Sequence, residues 1–306
     1  MTNNRLGQPI VVGIDGSLPA LHAAVWAADE GARRHVPVRL VHAIKVSAFA
    51  YTAGYTPPES FFAELDLDGR RYLAAAEAAV RRAHPDLEVT ADLQHANPPW
   101  ALIEQSATAR LVVLGSRGLG GNSGMLVGST AVALVAHGHC PVAVIRGRQP
   151  EEAPPTDGPV VVGVDGSPAS EAAVALAFEE ASLRRVDLVA AHTWTDYSSD
   201  IAYARASLLI VDWSWMENEQ AEMLAERLAG WQEKYPDVTV RRVLARDRPV
   251  RHLLEQSSGA QLLVVGSRGR GGFTGMLLGS TSQALIHHAP CPLLVARPNI
   301  AHGSAR

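Results

Sequence analysis

Short, uninterrupted apolar runs alternate along this chain with longer segments of helical period. Residues 10–15, IVVGID, form one such run, ending in Asp15. Its length and lack of alternation fit a strand buried on both faces. Gly16-Ser17-Leu18-Pro19 then turns the chain, with Ser17 a suitable helix N-cap, and Ala20 to Arg34 has helical spacing. The pattern predicts a second strand over Val36–Ile44, irregular chain over 45–60, and a helix from about Phe61 to Ala83. It then predicts a strand over Leu87–Leu93, a short helix over Pro98–Ala107 and a strand over Leu111–Leu114 running into Gly115. A loop over 115–128, a helix starting near Ser129 and a strand over Val142–Ile145 complete the set.

The same pattern returns one domain later. Residues 10–17 read IVVGIDGS and residues 160–167 read VVVGVDGS, identical at six of eight positions. Residues 111–130 and 262–281 are identical at fourteen of twenty. Weaker echoes pair His42 with His192 and Cys140-Pro141 with Cys291-Pro292. A period this long is a duplicated domain rather than a solenoid. The Pro- and Glu-rich stretch QPEEAPPTDG, residues 149–158, reads as the linker. The expected organisation is a first domain over 1–148, a second over 159–298 and a tail over 299–306. Strands alternating with helices imply right-handed crossovers and a parallel sheet covered on both faces. The second copy differs mainly in a longer, aromatic insert over Trp194–Trp215.

Chemistry concentrates in the loop after the fourth strand. Copy one reads Gly115-x-x-Gly118, nine residues, then Gly128-Ser129-Thr130; copy two reads Gly266-x-x-Gly269, nine residues, then Gly279-Ser280-Thr281. Each loop joins a buried strand to a helix start, where unpaired N–H groups and the positive dipole end attract anions. Glycine at 128 and 279 lets backbone approach a phosphate, and the hydroxyls of the next two residues can contact phosphate or a metal ion. Arg117 and Arg268 lie inside the loops as charge partners. Asp15 and Asp165 end the first strands and face the same crevice, since ligands bind at carboxyl ends where strand order reverses. An Asp there can hold ribose hydroxyls or, through a cation, the phosphates.

Several classes are excluded. Neither loop carries the lysine of GxxxxGK[ST], so neither is a Walker A loop. The first turn, Gly13-Ile14-Asp15-Gly16, is not GxGxxG, which argues against a dinucleotide dehydrogenase. No GxSxG or HExxH is present. A net charge of −4 gives no nucleic-acid surface, and 47% hydrophobic against 19% charged residues describes a folded chain. Two cysteines with no CxxC, a polar N-terminus and no membrane-length apolar run point to a soluble cytoplasmic protein. Cys140 and Cys291 read as small buried residues, His42 and His192 as packing residues, and His137, His139, His287 and His288 as helix C-terminal partners rather than metal ligands. Trp213, Trp215 and Trp231 are expected to anchor core or subunit contacts.

The spacing G-x2-G-x9-G-[ST], after a first strand ending V-G-x-D-G-S, resembles the universal stress protein family, over residues 8–146 and 158–297. The resemblance implies two tandem Rossmann-like domains of adenine nucleotide α-hydrolase-like type, each a five-stranded parallel sheet in order 3-2-1-4-5. It implies ATP as ligand, with Mg2+. Adenine would meet backbone around Val41 and Ala191, beside Gly13 and Gly163. Asp15 and Asp165 would lie near the nucleotide. Phosphates would sit on Gly115, Arg117, Gly118, Gly128, Ser129 and Thr130, and on Gly266, Arg268, Gly269, Gly279, Ser280 and Thr281. It implies intramolecular pairing of the fifth strands, Val142–Ile145 beside Leu293–Ala296, a homodimer, and a nucleotide-dependent regulator of growth or stress response. A slow ATPase or nucleotide-transferring enzyme of the same fold is the competing class, and neither repeat shows an evident catalytic base or nucleophile. Leu119 and Asn122 stand where copy two has Arg270 and Phe273, so the two sites are expected to differ in affinity.

Overall fold

The computed structural model describes residues 7–45, 58–118, 127–149, 151–194, 213–269 and 277–298. The insert over 195–212 and loop positions 119, 122, 270 and 273 lie outside them. The chain divides into two compact units, Met1–Pro154 and Pro155–Arg306.

The first unit runs β1 (Ile10–Gly13), α1 (Leu18–Arg34), β2 (Val38–Ala43), α2 (Glu59–Ala83), β3 (Val89–Gln94), α3 (Pro98–Gln105), β4 (Leu111–Gly115), α4 (Ser129–His137) and β5 (Val142–Ile145). Its strands lie in the order β3-β2-β1-β4-β5, every pairing parallel. The second unit runs β6 (Val160–Val164), α5 (Pro168–Arg184), β7 (Leu188–Trp194), α6 (Trp213–Lys234), β8 (Val240–Arg246), α7 (Pro249–Ser257), β9 (Leu262–Gly266), α8 (Ser280–His288) and β10 (Leu293–Ala296). Its order is β8-β7-β6-β9-β10, again parallel. Ile10, Val11 and Val12, like Val160, Val161 and Val162, are fully buried, as strands covered on both faces must be.

Among the boundaries that differ from the sequence reading, three have a visible physical cause. β1 stops at Gly13, so Asp15 stands beyond the strand rather than ending it. Ile14 still donates to the Val41 carbonyl at 2.8 Å, but Gly16 then takes φ +88°, and the chain leaves the sheet. α1 begins at Leu18 because Pro19 is tolerated in a first turn, where its missing N–H has no partner to lose. Val36 belongs to the helix exit, not to β2: His35 adopts the left-handed conformation at φ 53°, and the Val36 amide turns back to the Gly31 carbonyl.

The aromatic and sulfur residues sort by burial. Trp231 of α6 stacks on the fully buried Phe178 of α5 and on Tyr235, so it anchors the core of the second unit. Trp215 is exposed. Cys140 and Cys291 are both buried, and neither is part of a disulfide. Among the described residues no helix is long and apolar enough to cross a membrane.

Candidate functional site

In the first unit, β1 and β4 are adjacent, yet β1 connects to β2 on one side while β4 connects to β5 on the other. Their carboxyl ends diverge into a crevice, the place where open parallel sheets accept ligands. A cavity of about 290 Å³ lies there. Gly13, Asp15, Val41, Gly115, Arg117, Gly118, Gly128, Ser129 and Thr130 all line it, so the fold gathers every residue singled out in the first copy. The sequence reading did not name its apolar wall: Ala20 from α1, Pro98 and Leu102 from α3, Leu114, and Val127 before α4. Pro98 and Leu102 are four apart and share a helix face, the one available signal, but nothing local says which strands that face meets.

The glycines do different jobs. A β-carbon on Gly115 would fall 2.6 Å from the Pro19 backbone, so this glycine lets α1 pack onto β4. Gly266 does the same against Ala169. Gly13 fits beneath Leu102 and Leu114, and Gly163 lies against Leu253. Gly118 and Gly269 face the carboxylates of Asp15 and Asp165, leaving no room for a β-carbon. Gly128 differs from all of these. Its backbone, φ −70° and ψ 145°, suits any residue, and a β-carbon there would meet none of the described residues within 4 Å. Neither backbone geometry nor packing among the described residues calls for glycine at 128.

Asp15 shapes the first turn. Its Oδ1 accepts from the Ser17 amide at 3.0 Å and from the Ser17 hydroxyl at 2.6 Å. Ser17 caps α1 by accepting from the Ala20 amide at 3.3 Å. In the second unit Asp165 Oδ1 accepts from the Ser167 amide at 2.9 Å, and Ser167 caps α5 through the Ser170 amide at 3.2 Å. The ring nitrogen Nδ1 of His42 donates to the Ile14 carbonyl at 2.6 Å, and that of His192 to the Val164 carbonyl at 2.6 Å. These histidines tie the end of the second strand to the chain leaving the first, a structural role as the sequence suggested.

The helices after the loops are capped differently. Gly128 and Gly279 are the N-caps of α4 and α8 and offer no side-chain acceptor. Their own amides are engaged: Gly128 donates to the Ser116 carbonyl at 3.0 Å, Gly279 to the Ser267 carbonyl at 2.9 Å. In α4 the first intrahelical acceptor, the Gly128 carbonyl, is taken by Ala131 at 3.1 Å. The amides of Ser129 and Thr130 precede that bond, as the first amides of any helix do. Beside them the Nε of Arg117 is buried and has no hydrogen-bond partner among the described residues. Among those residues there is also no cluster of three or more His, Cys, Asp or Glu side chains fit to hold a metal.

In the second unit the corresponding residues also converge. Gly163 pairs with Ala191 across β6 and β7. Asp165 reaches Gly269, and the backbone of Ser267, Arg268 and Gly269 lies against Gly279, followed by Ser280 and Thr281 at the start of α8.

Comparison with known proteins agrees with this architecture. The model of the universal stress protein family matches residues 7–146 and again residues 158–297. Two universal stress proteins of Mycobacterium tuberculosis are each 43% identical over 97% of this chain. The alignments cover 99% of one relative and 97% of the other. Among solved structures, a universal stress protein from Archaeoglobus fulgidus has a TM-score of 0.69 at 18% identity, covering 96% of this chain and 97% of its own. A functionally unknown protein from Pseudomonas aeruginosa has a TM-score of 0.58 at 14% identity, covering 96% and 94%. At such identities these structures speak for the fold alone.

Proposed function

The chain belongs to the universal stress protein family, and from that premise we propose that each unit is an ATP-binding regulatory module rather than a turnover enzyme. Nucleotide occupancy is then the signal the protein passes to its partners in stress response or growth control. The observation that carries this reading is the start of α4, which has no side-chain cap: neither its backbone nor any described residue within 4 Å gives Gly128 a reason to be glycine, and Gly128 lines the cavity. A close-approaching ligand supplies the missing reason.

The residues present fit a triphosphate. Ser129 and Thr130 offer amides and hydroxyls at a positive helix end, and Arg117 offers a buried donor lacking an acceptor. The apolar wall of Leu102, Leu114 and Val127 suits a purine face. Val41 supplies backbone at the far side, and Asp15 stands between that side and the loop for ribose or for Mg2+. Bound ATP with Mg2+ would bring a polyanion that satisfies these donors. The same premise carries a cytoplasmic homodimer with no nucleic-acid partner.

Isothermal titration of the purified chain with ATP tests the reading directly. Saturable binding that weakens in Asp15→Glu combined with Gly128→Ala supports it. Wild-type protein that takes up no ATP, checked for prior nucleotide by native mass measurement, ends it.

A further inference from the structure

The two loops share most of their sequence, yet the structure builds them differently at three points. The first is the arginine. Arg117 is half-buried, lines the cavity, and hides an Nε that no described residue satisfies. Arg268, at the same place in the repeat, is exposed. A buried donor left unpaired is unfavourable, so an acceptor is missing at Arg117, whereas water can serve the exposed arginine.

The second is the space beside the helix cap. Gly128 and Gly279 share nearly one backbone conformation, φ −70° and ψ 145° against φ −74° and ψ 150°. A β-carbon on Gly128 would meet none of the described residues within 4 Å. On Gly279 it would lie 3.4 Å from the Arg268 α-carbon, 3.5 Å from the Gly269 nitrogen and 3.6 Å from the Ser267 carbonyl oxygen. The caps are alike and each glycine amide bonds the loop, so the difference lies in how residues 267–269 crowd the cap position, where residues 116–118 leave more than 4 Å. The third is the wall residue before the cap. Val127 is buried in the first unit, while Leu278 is only half-buried in the second and Leu277 beside it is exposed.

We propose that the two nucleotide sites are unequal: the first unit is the tight site, Arg117 sets its preference for a polyanion, and the second unit fills only at higher nucleotide concentration. This rests on the ATP-binding reading above and ranks its two sites. A partly buried guanidinium makes a stronger bond to phosphate than an exposed one, because less solvent screens it. Beside Gly128 no described residue stands within 4 Å of the path a phosphate would take to the Ser129 and Thr130 amides, while in the second unit the Arg268–Gly269 backbone must first give way. The duplication then yields a two-step response, with one nucleotide per chain over an intermediate concentration range.

Native mass spectrometry of the full chain, titrated with Mg-ATP, tests this. The singly bound species is expected to dominate over at least about a tenfold range of concentration. In Arg117→Gln the first step is expected to weaken by about tenfold or more. In Arg268→Gln the second step moves instead. Gly128→Ala, which its backbone tolerates, removes the first step by occupying the open space. With AMP in place of ATP the two steps draw together. Two equal steps in the wild type, or loss of the tight step in Arg268→Gln, overturns the ranking and leaves nucleotide binding standing. No adduct at any concentration overturns both.

Discussion

The carboxylate of Asp15 lies against the α-carbon of Gly118, in the position that a β-carbon at residue 118 would occupy. Its other oxygen holds the Ser17 amide and hydroxyl. One side chain therefore latches the turn after β1 to the loop after β4. The second unit repeats the contact between Asp165 and Gly269. Gly118→Ala must displace either the loop or the acid. It is expected to destabilise the first unit by about 1–3 kcal/mol. In an Asp15→Ser background the added methyl meets a smaller group, so the penalty should shrink by about 1 kcal/mol or more. Urea denaturation of the four proteins in the cycle measures the coupling. Additive penalties would mean that the contact does not hold the loop.

Gly115 and Gly128 bound the same loop, and their substitutions should separate stability from binding. A methyl on Gly115 would strike the Pro19 backbone, which no rotamer change relieves, so Gly115→Ala should cost about 1–3 kcal/mol and lower the melting temperature. Gly128→Ala meets none of the described residues and should melt within about 0.5 kcal/mol of wild type. Its ATP affinity, in contrast, should fall by about tenfold or more. Thermal melts with and without nucleotide distinguish the two: Gly128→Ala keeps its unliganded melting point and loses most of the ligand-induced rise. A large loss of unliganded stability in Gly128→Ala would show that packing, not ligand, requires the glycine.

These two glycines also show what the sequence could and could not reveal. Element order was legible because continuous apolar runs and helical periods differ over ten or more residues, and the repeat displayed each element twice. The loop was legible because its glycines sit between a strand and a helix. That Gly115 answers to Pro19 and Gly128 to none of the described residues was not, since identical letters carry no distances. Asp15 looked like the end of a strand because an apolar run does not record where backbone pairing stops. Its own side chain turns the chain away after Ile14. Pro98 and Leu102 escaped notice because a helix joins the cavity wall only through its packing across the sheet.

Ser17 and Ser167 offer a matched pair of capping tests. Each hydroxyl accepts from the amide three residues on, at 3.3 and 3.2 Å, and each lies 3.3 Å from the loop carbonyl of Arg117 or Arg268. Replacing either with alanine should cost about 1 kcal/mol through the cap. Ser17 Oγ also donates to Asp15 Oδ1 at 2.6 Å and steadies the acid that latches the loop, so Ser17→Ala should loosen that turn as well. Chemical denaturation of the two variants measures the cost, and no loss of stability in either would contradict this account of the caps.

His252 gives the protein a dependence on pH that does not involve the cavity. It lies on α7, is only 5% exposed, and its Nε2 has no hydrogen-bond partner among the described residues. Burial pushes its pKa below the ordinary histidine value of 6.5, and the charges of Glu255 and Asp247 only partly oppose this. His22 on α1 is shifted the same way by burial. The native state therefore resists taking up a proton that the unfolded chain accepts readily. Between the lowered native value and 6.5 the unfolded chain binds more protons, so stability present at neutral pH is lost as the pH falls through that window. Denaturation at about pH 7.5 and about pH 5.5 should show a loss on acidification that is smaller in His252→Leu and smaller again when His22→Leu is added. If His252→Leu loses as much stability on acidification as the wild type, the buried imidazole is not the group that titrates.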